Sequence, residues 1–197
     1  MQSYLVDPQN ITRYDQSVEE LQLVLLFWIA AAGKKATTSA RALDALLAEG
    51  NGRFGLEAPF DIVLAYGDAL AEAMRLHGMG CYNNKSASMA ALARSGIDLL
   101  SCSVDQLESI KGIGPKTARC FLMHSRRGVR HAGLDTHVLK YMRSLGMEVP
   151  KSTPSGKRYA ELEKAFLALA DASGLGVAEF DLQIWRDYSA RKHATPV

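Results

Sequence analysis

The run KGIGPK at residues 111–116 restricts the fold more than any other stretch of the chain. Gly112 and Gly114 are separated by one residue, which lets a backbone turn sharply and approach another molecule closely. Pro115 suits the first position of a helix, where its missing N–H costs nothing. Upstream, Ser103 and Gln106 form a capping-box pattern that starts a short helix. We therefore predict two helices joined by a tight hairpin.

The hairpin carries the features of an anion site. At the start of its second helix the amides of Ile113, Gly114 and Lys116 are expected to point outward, where a phosphate would bind. The segment from residue 111 to 143 is also strongly basic, and Asp135 is its single acid. Its basic residues are Lys111, Lys116, Arg119, Arg126, Arg127, Arg130, Lys140 and Arg143. This pattern indicates a polyanion footprint; the alternative is an ordinary turn between packed helices.

Two runs, LESIKGIGPKTA and LDTHVLKYM, resemble the helix-hairpin-helix DNA glycosylase superfamily, which includes endonuclease III and the 8-oxoguanine glycosylases. Lys116 stands two residues after the second hairpin glycine, and Asp135 follows 19 residues later. In the bifunctional members these positions hold the nucleophile and the catalytic carboxylate. The resemblance therefore implies that Lys116 and Asp135 are catalytic. Lys111 departs from the pattern, because many members have proline there.

The chemistry of these two residues fits that role. A lysine amine attacks a sugar carbon only when it is neutral, so its pKa must fall well below its ordinary value. We expect the helix start and the nearby cations Lys111 and Arg119 to lower the pKa of Lys116. Asp135 would stabilise the positive charge on the sugar as the base leaves. The bland alternatives are a solvated surface lysine and an aspartate that only caps a helix.

Further DNA contacts follow from the same resemblance. The hairpin residues Gly112, Ile113 and Gly114, with Lys111 and Arg119, are expected to bind the DNA backbone. The run GMGCYNNKSASMAAL resembles a family segment in which Asn83 or Asn84 would cap a helix and Lys85 would reach a phosphate. Lys34 and Lys35, after Gly33, fall near the loop that enters the duplex in relatives, although a solvated loop is an equal alternative.

The base pocket is predicted from two segments. Cys120 lies one helical turn after Lys116 and so faces the same site, as a pocket cysteine does in the eukaryotic 8-oxoguanine enzymes. The run FDLQIWRDY resembles the terminal helix of the archaeal-type 8-oxoguanine glycosylases, which places Phe180, Asp181 and Trp185 near the base. A closing core helix and a buried core cysteine are the alternatives. These features favour an oxidised purine, with an oxidised pyrimidine as the close alternative.

The remaining sequence predicts an all α protein with two helical lobes and a cleft between them, the hairpin lying at the cleft. Helices are expected at residues 17–32, from 37 or 38 to 49, and at 59–77 with a break at Gly67, while Asn51-Gly52 marks a turn. By resemblance the single glycosylase fold of residues 1–197 divides into a central lobe, residues 33–130, and a second lobe, residues 1–32 with 131–197.

The cysteines and the apolar stretches of the sequence determine which cofactors and which cellular location we expect. Cys81, Cys102 and Cys120 form no disulfide framework or zinc pair, and no cysteine follows them, so we expect no iron–sulfur cluster. No metal is implied in catalysis, although hairpin carbonyls in this family can hold a monovalent cation. No stretch is long enough to cross a bilayer, and the start MQSYLVDPQN lacks a signal core, so we expect an intracellular monomer without a membrane partner.

Three functions remain open from the sequence. The first is a bifunctional glycosylase and AP lyase that acts on double-stranded DNA containing a damaged base, 8-oxoguanine being favoured over an oxidised pyrimidine. The second is a monofunctional glycosylase in which Asp135 works with water and Lys116 is incidental. The third is a non-catalytic module that only grips DNA backbones.

Overall fold

The computed structural model describes residues 2–190, apart from the side chain of Ala190. That part of the chain is entirely helical and contains no strand, as predicted. The ten α-helices are α1 (Val18–Ala31), α2 (Ala36–Phe54), α3 (Pro59–Tyr66), α4 (Leu70–Leu76), α5 (Tyr82–Arg94), α6 (Val104–Glu108), α7 (Pro115–Ser125), α8 (Thr136–Ser144), α9 (Gly156–Ser173) and α10 (Val177–Ala190). A 3₁₀ turn, Gly67–Ala69, joins α3 to α4, which confirms the break predicted at Gly67.

Helix α2 is longer than predicted. The Asn51-Gly52 pair was expected to turn the chain, but the helix continues through it and ends at Gly55, which adopts a left-handed conformation with φ 68°. The side chain of Asn51 donates instead to the carbonyl of Leu56. Gly50 explains why this end of α2 is packed, because a Cβ there would lie 2.4 Å from Ile62 of α3. Close packing between the helices therefore overrides the local turn signal.

Helix α5 starts two or three residues earlier than predicted, because its N-cap is Cys81 and not Asn83 or Asn84. Cys81, with φ 58°, is the residue at its N-cap and makes no side-chain capping bond. Asn83 and Asn84 lie inside the helix, so neither is the cap. The predicted cap sites were thus wrong, although the helix itself was predicted correctly.

The buried side chains form two clusters. The first joins the N-terminal segment and α1 with helices α2 to α7, and it includes Leu25, Phe27, Leu43 and Phe121. The second joins residues of α8, α9 and α10 with Ala132 and Leu134. Helix α10 lies between them, because Leu182 belongs to the first cluster whereas Phe180 and Ile184 belong to the second.

The packing of helix α1 can be compared with the predicted division into two lobes. Residues 1–32 were grouped with residues 131–197, but the buried side chains of α1 lie in the first cluster. A link to the C-terminal region also exists, since the side chain of Arg186 donates to the carbonyl of Gln9. The lobe boundaries therefore stay a prediction, and residues 191–197 lie outside the described part of the chain.

Candidate active site

The hairpin between α6 and α7 has the predicted form. Ser103 and Gln106 make both bonds of the capping box, and Pro115 opens α7. Gly112 has φ 91°, and a Cβ there would lie 1.8 Å from Oγ of Ser88 on α5. Only glycine fits this position, because both the backbone conformation and the neighbouring helix exclude a side chain.

One predicted feature of the hairpin is wrong. The amide of Ile113 was expected to point outward, but it donates to the carbonyl of Ile110 at 3.0 Å, and its side chain is buried in the first cluster. The amides of Gly114 and Lys116 lie at the start of α7. An amide there has no acceptor within its own helix, because the carbonyl four residues earlier lies outside α7. The hairpin therefore offers an anion the amides of two residues, Gly114 and Lys116, and not the three expected from the sequence.

Lys116 lies half-buried in the first turn of α7. Its Nζ is 4.7 Å from the centre of the Trp28 ring, at the distance of a cation–π contact. Cys120, one turn along the same helix, is among the groups that act electrostatically on this amine. The assignment of Cys120 to the base pocket stays a prediction.

The electrostatics of Lys116 differ from the prediction. Burial lowers its pKa, but Cys120, Asp135 and Asp181 raise it by more, so the pKa lies above its ordinary value. The cations expected to lower it are elsewhere: Lys111 is exposed, and Arg119 is paired with carboxylates. In the free protein Lys116 is therefore an ammonium ion.

The two oxygens of the Asp135 carboxylate differ in their hydrogen bonds. Asp135 is the N-cap of α8, and its Oδ1 accepts from the amides of His137 at 2.7 Å and Val138 at 2.9 Å. Its other oxygen, Oδ2, takes part in neither bond. The capping interpretation is thus correct, and it leaves one oxygen for the electrostatic interaction with Lys116. The catalytic role of Asp135 stays a prediction.

Cys120 is buried beside the backbone of Gly133. A Cβ at residue 133 would lie 2.1 Å from the sulfur, so the loop before Asp135 packs directly on this cysteine. Burial raises the pKa of the Cys120 thiol to about 12, which keeps it neutral at ordinary pH. A neutral, enclosed thiol is a poor nucleophile, so Cys120 is not a candidate for that role.

Two residues of the site were not singled out as functional from the sequence. The ring of His124 stacks on Trp28 with ring centres 5.5 Å apart and planes inclined by 16°. His124 is buried, and its Nε2 lies 3.3 Å from Oδ2 of Asp181. The spacing of Lys116, Cys120 and His124, four residues each, could have indicated a shared face of α7. Nothing local indicated Trp28, which fits a core helix equally well.

The residues predicted for the base pocket separate in the structure. Asp181 is buried and bonded to His124, close enough to influence Lys116. Trp185 is half-buried against the first cluster. Phe180 instead packs in the second cluster, with its ring 5.3 Å from Phe166 and 5.6 Å from Tyr141. Its assignment to the pocket is therefore corrected to a core residue, because the helical turn that directs Asp181 toward Lys116 directs its neighbour into the second cluster.

Two of the predicted phosphate contacts have internal partners. Arg119 binds Glu163 through Nε at 3.0 Å and Glu108 through Nη1, and it covers the ring of Tyr159. Lys85 is buried, and its Nζ donates to the carbonyl of Ala30 at 2.5 Å, near the end of α1. Neither side chain is available to DNA in this conformation. Both predictions are corrected, because each cation is bound to an acceptor of the protein itself.

The charge of the basic segment is partly neutralised by the rest of the chain. Arg127 pairs with Asp15 at 2.9 Å, and Arg130 pairs with Asp171 at 2.8 Å. Cations at three other predicted contact positions, Lys34, Lys35 and Lys111, are exposed. These three keep their predicted role as phosphate contacts. Sequence-local charge therefore overstates the positive charge of this surface.

Several features lie apart from this cluster. One shallow hollow is bordered by Tyr14, Leu99 and Arg127, and another by Thr38 and His77; neither is lined by Lys116 or Asp135.

Within residues 2–190, no three His, Cys, Asp or Glu side chains are grouped as metal ligands would be. No helix in that range has the length and apolar character needed to cross a membrane.

Comparisons with known proteins agree with this geometry. Residues 98–122 match the model of the helix-hairpin-helix motif. The chain is 34% identical over 133 residues to a protein of Picrophilus torridus named 8-oxoguanine DNA glycosylase/AP lyase, and 42% identical over 82 residues to a protein of the same name from Thermotoga sp. strain RQ2. These matches cover 62% and 40% of this chain, and 62% and 38% of the two relatives. The matched region is thus less than two thirds of either relative's length.

A solved structure resembles the whole described fold. The crystal structure of the 8-oxoguanine DNA glycosylase of Thermotoga maritima superposes with a TM-score of 0.66 at 27% sequence identity. The superposition covers 90% of this chain and 85% of that protein. The likeness therefore includes both buried clusters and extends well beyond the hairpin.

Proposed function

Because the chain is related to the helix-hairpin-helix DNA glycosylases, we propose that it is a bifunctional DNA glycosylase and AP lyase that removes 8-oxoguanine from double-stranded DNA. One observation carries the proposal: Cys120, one turn after Lys116 on α7, packs against Gly133, two residues before Asp135, so the amine and the carboxylate lie on two segments in direct contact. An amine beside a carboxylate, at a hairpin suited to a DNA backbone, is the arrangement that Schiff-base glycosylases need.

The reaction begins with attack on the sugar. The neutral Nζ of Lys116 bonds to C1′ while the bond from C1′ to the base breaks, and the base leaves with the bonding electrons. The free Oδ2 of Asp135 faces the positive charge that develops on the sugar. The sugar ring then opens to a Schiff base between C1′ and Nζ. Loss of a proton from C2′ expels the 3′ phosphate, and a nicked strand results.

Lys116 must lose its proton before this attack. The free protein holds it as an ammonium ion over Trp28, with Asp135 and Asp181 nearby. A substrate that displaces the ammonium from the ring and enters the site changes this balance, because it separates the cation from its stabilising partners. Binding of the damaged nucleotide thereby becomes a condition for forming the nucleophile.

The hairpin and the exposed lysines bind the phosphates of the DNA backbone. The amides of Gly114 and Lys116 suit a phosphate at the start of α7. Lys111, Lys34 and Lys35 supply exposed positive charge for further phosphates. A monovalent cation bound by the hairpin carbonyls would belong to the same backbone contact. Oxidised purine is favoured because the relatives in sequence and the similar solved structure are 8-oxoguanine DNA glycosylases.

The test is covalent trapping with borohydride. Duplexes carrying 8-oxoguanine, thymine glycol, uracil or no lesion are incubated with wild type, Lys116→Gln and Asp135→Asn. We expect a reduced adduct between wild type and the 8-oxoguanine duplex, and no adduct for Lys116→Gln. Lys164→Gln, which alters a lysine of α9 away from the hairpin, is the matched control and should trap normally.

Other outcomes separate the remaining functions. An adduct on thymine glycol alone would replace the purine assignment with an oxidised pyrimidine. Base release without an adduct, unchanged in Lys116→Gln, would show a glycosylase that uses water. Tight binding with neither product would contradict the proposal and leave a DNA-binding module.

A further inference from the structure

His124 connects three parts of the chain behind the candidate nucleophile. Its Nδ1 lies 2.7 Å from the hydroxyl of Thr12, and its carbonyl accepts from the amide of Arg13 at 2.9 Å. Its Nε2 faces Asp181 of α10, and its ring stacks on Trp28 of α1. The imidazole is only 1% exposed, so these contacts account for its surroundings.

The contacts fix how this imidazole acts on Asp181. The neutral tautomer with its proton on Nε2 satisfies both partners, since Nε2 then donates to the carboxylate and Nδ1 accepts the Thr12 hydroxyl proton. Burial raises the pKa of Asp181 above its ordinary value, and the hydrogen bond from His124 opposes that rise. Without this donor, a carboxyl that is 9% exposed would take up a proton more readily.

The charge on Asp181 matters because Lys116 responds to it. The groups that act on the Lys116 ammonium are Cys120 on its own helix, Asp135 before α8 and Asp181 on α10, with Trp28 of α1 under the cation. Cys120 is a neutral thiol at ordinary pH, so the two carboxylates supply the negative charge. Neutralising one of them removes part of the stabilisation of the ammonium form.

We propose that His124 is a positioning residue that keeps the Asp181 carboxylate charged beside Lys116, and so holds the lysine as a cation until the substrate is bound. The inference rests on the proposed function, because it assigns a cause to the resting state of the proposed nucleophile. His124 acts through Asp181 and touches neither the substrate nor the reacting atoms.

The test measures the pH at which Lys116 becomes an amine. Duplex DNA containing an abasic site is trapped with cyanoborohydride over a pH series, because such a substrate needs the lysine but no base recognition. His124→Phe keeps a ring against Trp28 and removes both nitrogen atoms. His124→Gln keeps an N–H donor, and Asp181→Asn removes the carboxylate itself.

We expect the rising limb of the trapping rate to move to lower pH in His124→Phe and Asp181→Asn, by about 0.5 to 1 pH unit. His124→Gln should shift it by less than half as much. Unshifted limbs in both His124→Phe and Asp181→Asn, with only lower rates, would overturn the inference and leave His124 a purely structural residue. Should His124→Phe fail to fold, Asp181→Asn decides the outcome.

Failure of the proposed function gives a different result. In that case the wild type forms no adduct with abasic DNA at any pH. The charge of Lys116 is then followed by nitrogen NMR of the lysine Nζ in the free protein, with the signal assigned by its loss in Lys116→Gln. A lower titration midpoint in Asp181→Asn and His124→Phe supports the inference, and an unchanged midpoint overturns it.

Discussion

The sulfur of Cys120 lies against the backbone of Gly133, and this contact joins the two halves of the candidate site. Cys120 shares a helix with Lys116, while Gly133 precedes Asp135 by two residues. The amide of Asp135 donates to the carbonyl of Gly133 at 2.7 Å, which tightens the turn between them. The separation of Lys116 and Asp135 therefore depends on a glycine that resembles any other loop residue in the sequence.

Replacing Gly133 with alanine should disturb this contact. The new Cβ would lie 2.1 Å from the sulfur, so either the loop or the cysteine must move. We expect Gly133→Ala to lower the free energy of unfolding by about 1–3 kcal/mol and to reduce trapping. Adding Cys120→Ala removes the clashing atom, so the double variant should recover more than half of the loss in urea denaturation. Strictly additive effects of the two changes would contradict this packing.

The residues of the site differ in how far the sequence predicts them. Lys116 and Asp135 are assigned by a resemblance that one local stretch of sequence carries, and Cys120 is placed near Lys116 by helical periodicity. His124 and Asp181 are 57 residues apart, so their contact arises from the packing of α10 against α7 and has no local pattern. The direction of the Lys116 pKa was predicted wrongly for the same reason, since Asp181 comes from a distant helix.

At the scale of the element, the hairpin needs its two glycines for different reasons. Gly112 has a positive φ and lies against Ser88, so it is required by the fold. Gly114 is extended, with φ −97° and ψ 176°, and a Cβ added there would meet no neighbouring atom within 4 Å. The fold does not require glycine at residue 114, and the open space there faces the start of α7.

The two glycines offer a matched pair of variants. Gly112→Ala should lower the free energy of unfolding by about 2 kcal/mol or more, because both the conformation and the space exclude a methyl group. Gly114→Ala should leave stability unchanged or raise it by about 0.5 kcal/mol. It should still weaken DNA binding, since the methyl group would stand where a phosphate approaches. Equal stabilities of the two variants would contradict the geometry of the hairpin.

The sequence predicts a helix end correctly where a capping side chain determines it. It fails where packing against a neighbouring helix determines the end. The capping boxes at Ser17 and Ser103 are complete in the structure, and Ser103 was predicted from the sequence. The end of α2 was misplaced because Gly50 lets Ile62 approach, which stabilises helix beyond a sequence that usually turns. Local propensity is a weak term when a neighbouring helix packs on the same residues.

At the scale of the whole molecule, one arginine ties the two clusters together. Arg119 on α7 binds Glu108 on α6 and Glu163 on α9, and the amide of Ala132 donates to Glu163 at 2.9 Å. Glu163 thereby holds the loop between α7 and α8 as well as the helix that supports it. This network keeps the surfaces that carry Lys116 and Asp135 in register.

The network predicts a dependence of stability on pH. Burial raises the pKa of Glu163, but bonds from His131 and Ala132 and the charge of Arg119 lower it by more, so it lies below the ordinary 4.5. The charged form therefore stabilises the fold above pH 4.5, and this contribution is lost as the pH falls through the folded pKa. Glu163→Gln should cost about 3 kcal/mol at neutral pH and progressively less in acid.

Urea denaturation over a pH series measures this effect. Glu161→Gln is the matched control, because its side chain on the same helix is 62% exposed and pairs only across the surface with Arg158. Its cost should stay below about 0.5 kcal/mol at every pH. A Glu163→Gln deficit that does not shrink in acid would show that the glutamate acts through its shape and not through its charge.

On the proposed function, Asp135 both caps α8 and takes part in the reaction, and this has an evolutionary consequence. The N-cap of helix α8 requires only a side-chain oxygen that accepts from the first amides, and asparagine provides one as well as aspartate does. A change of a single nucleotide converts one codon into the other. Selection only for a folded, DNA-binding protein would therefore give little protection to the proposed chemistry, so a lineage could lose the proposed activity at this position and keep helix α8 in place.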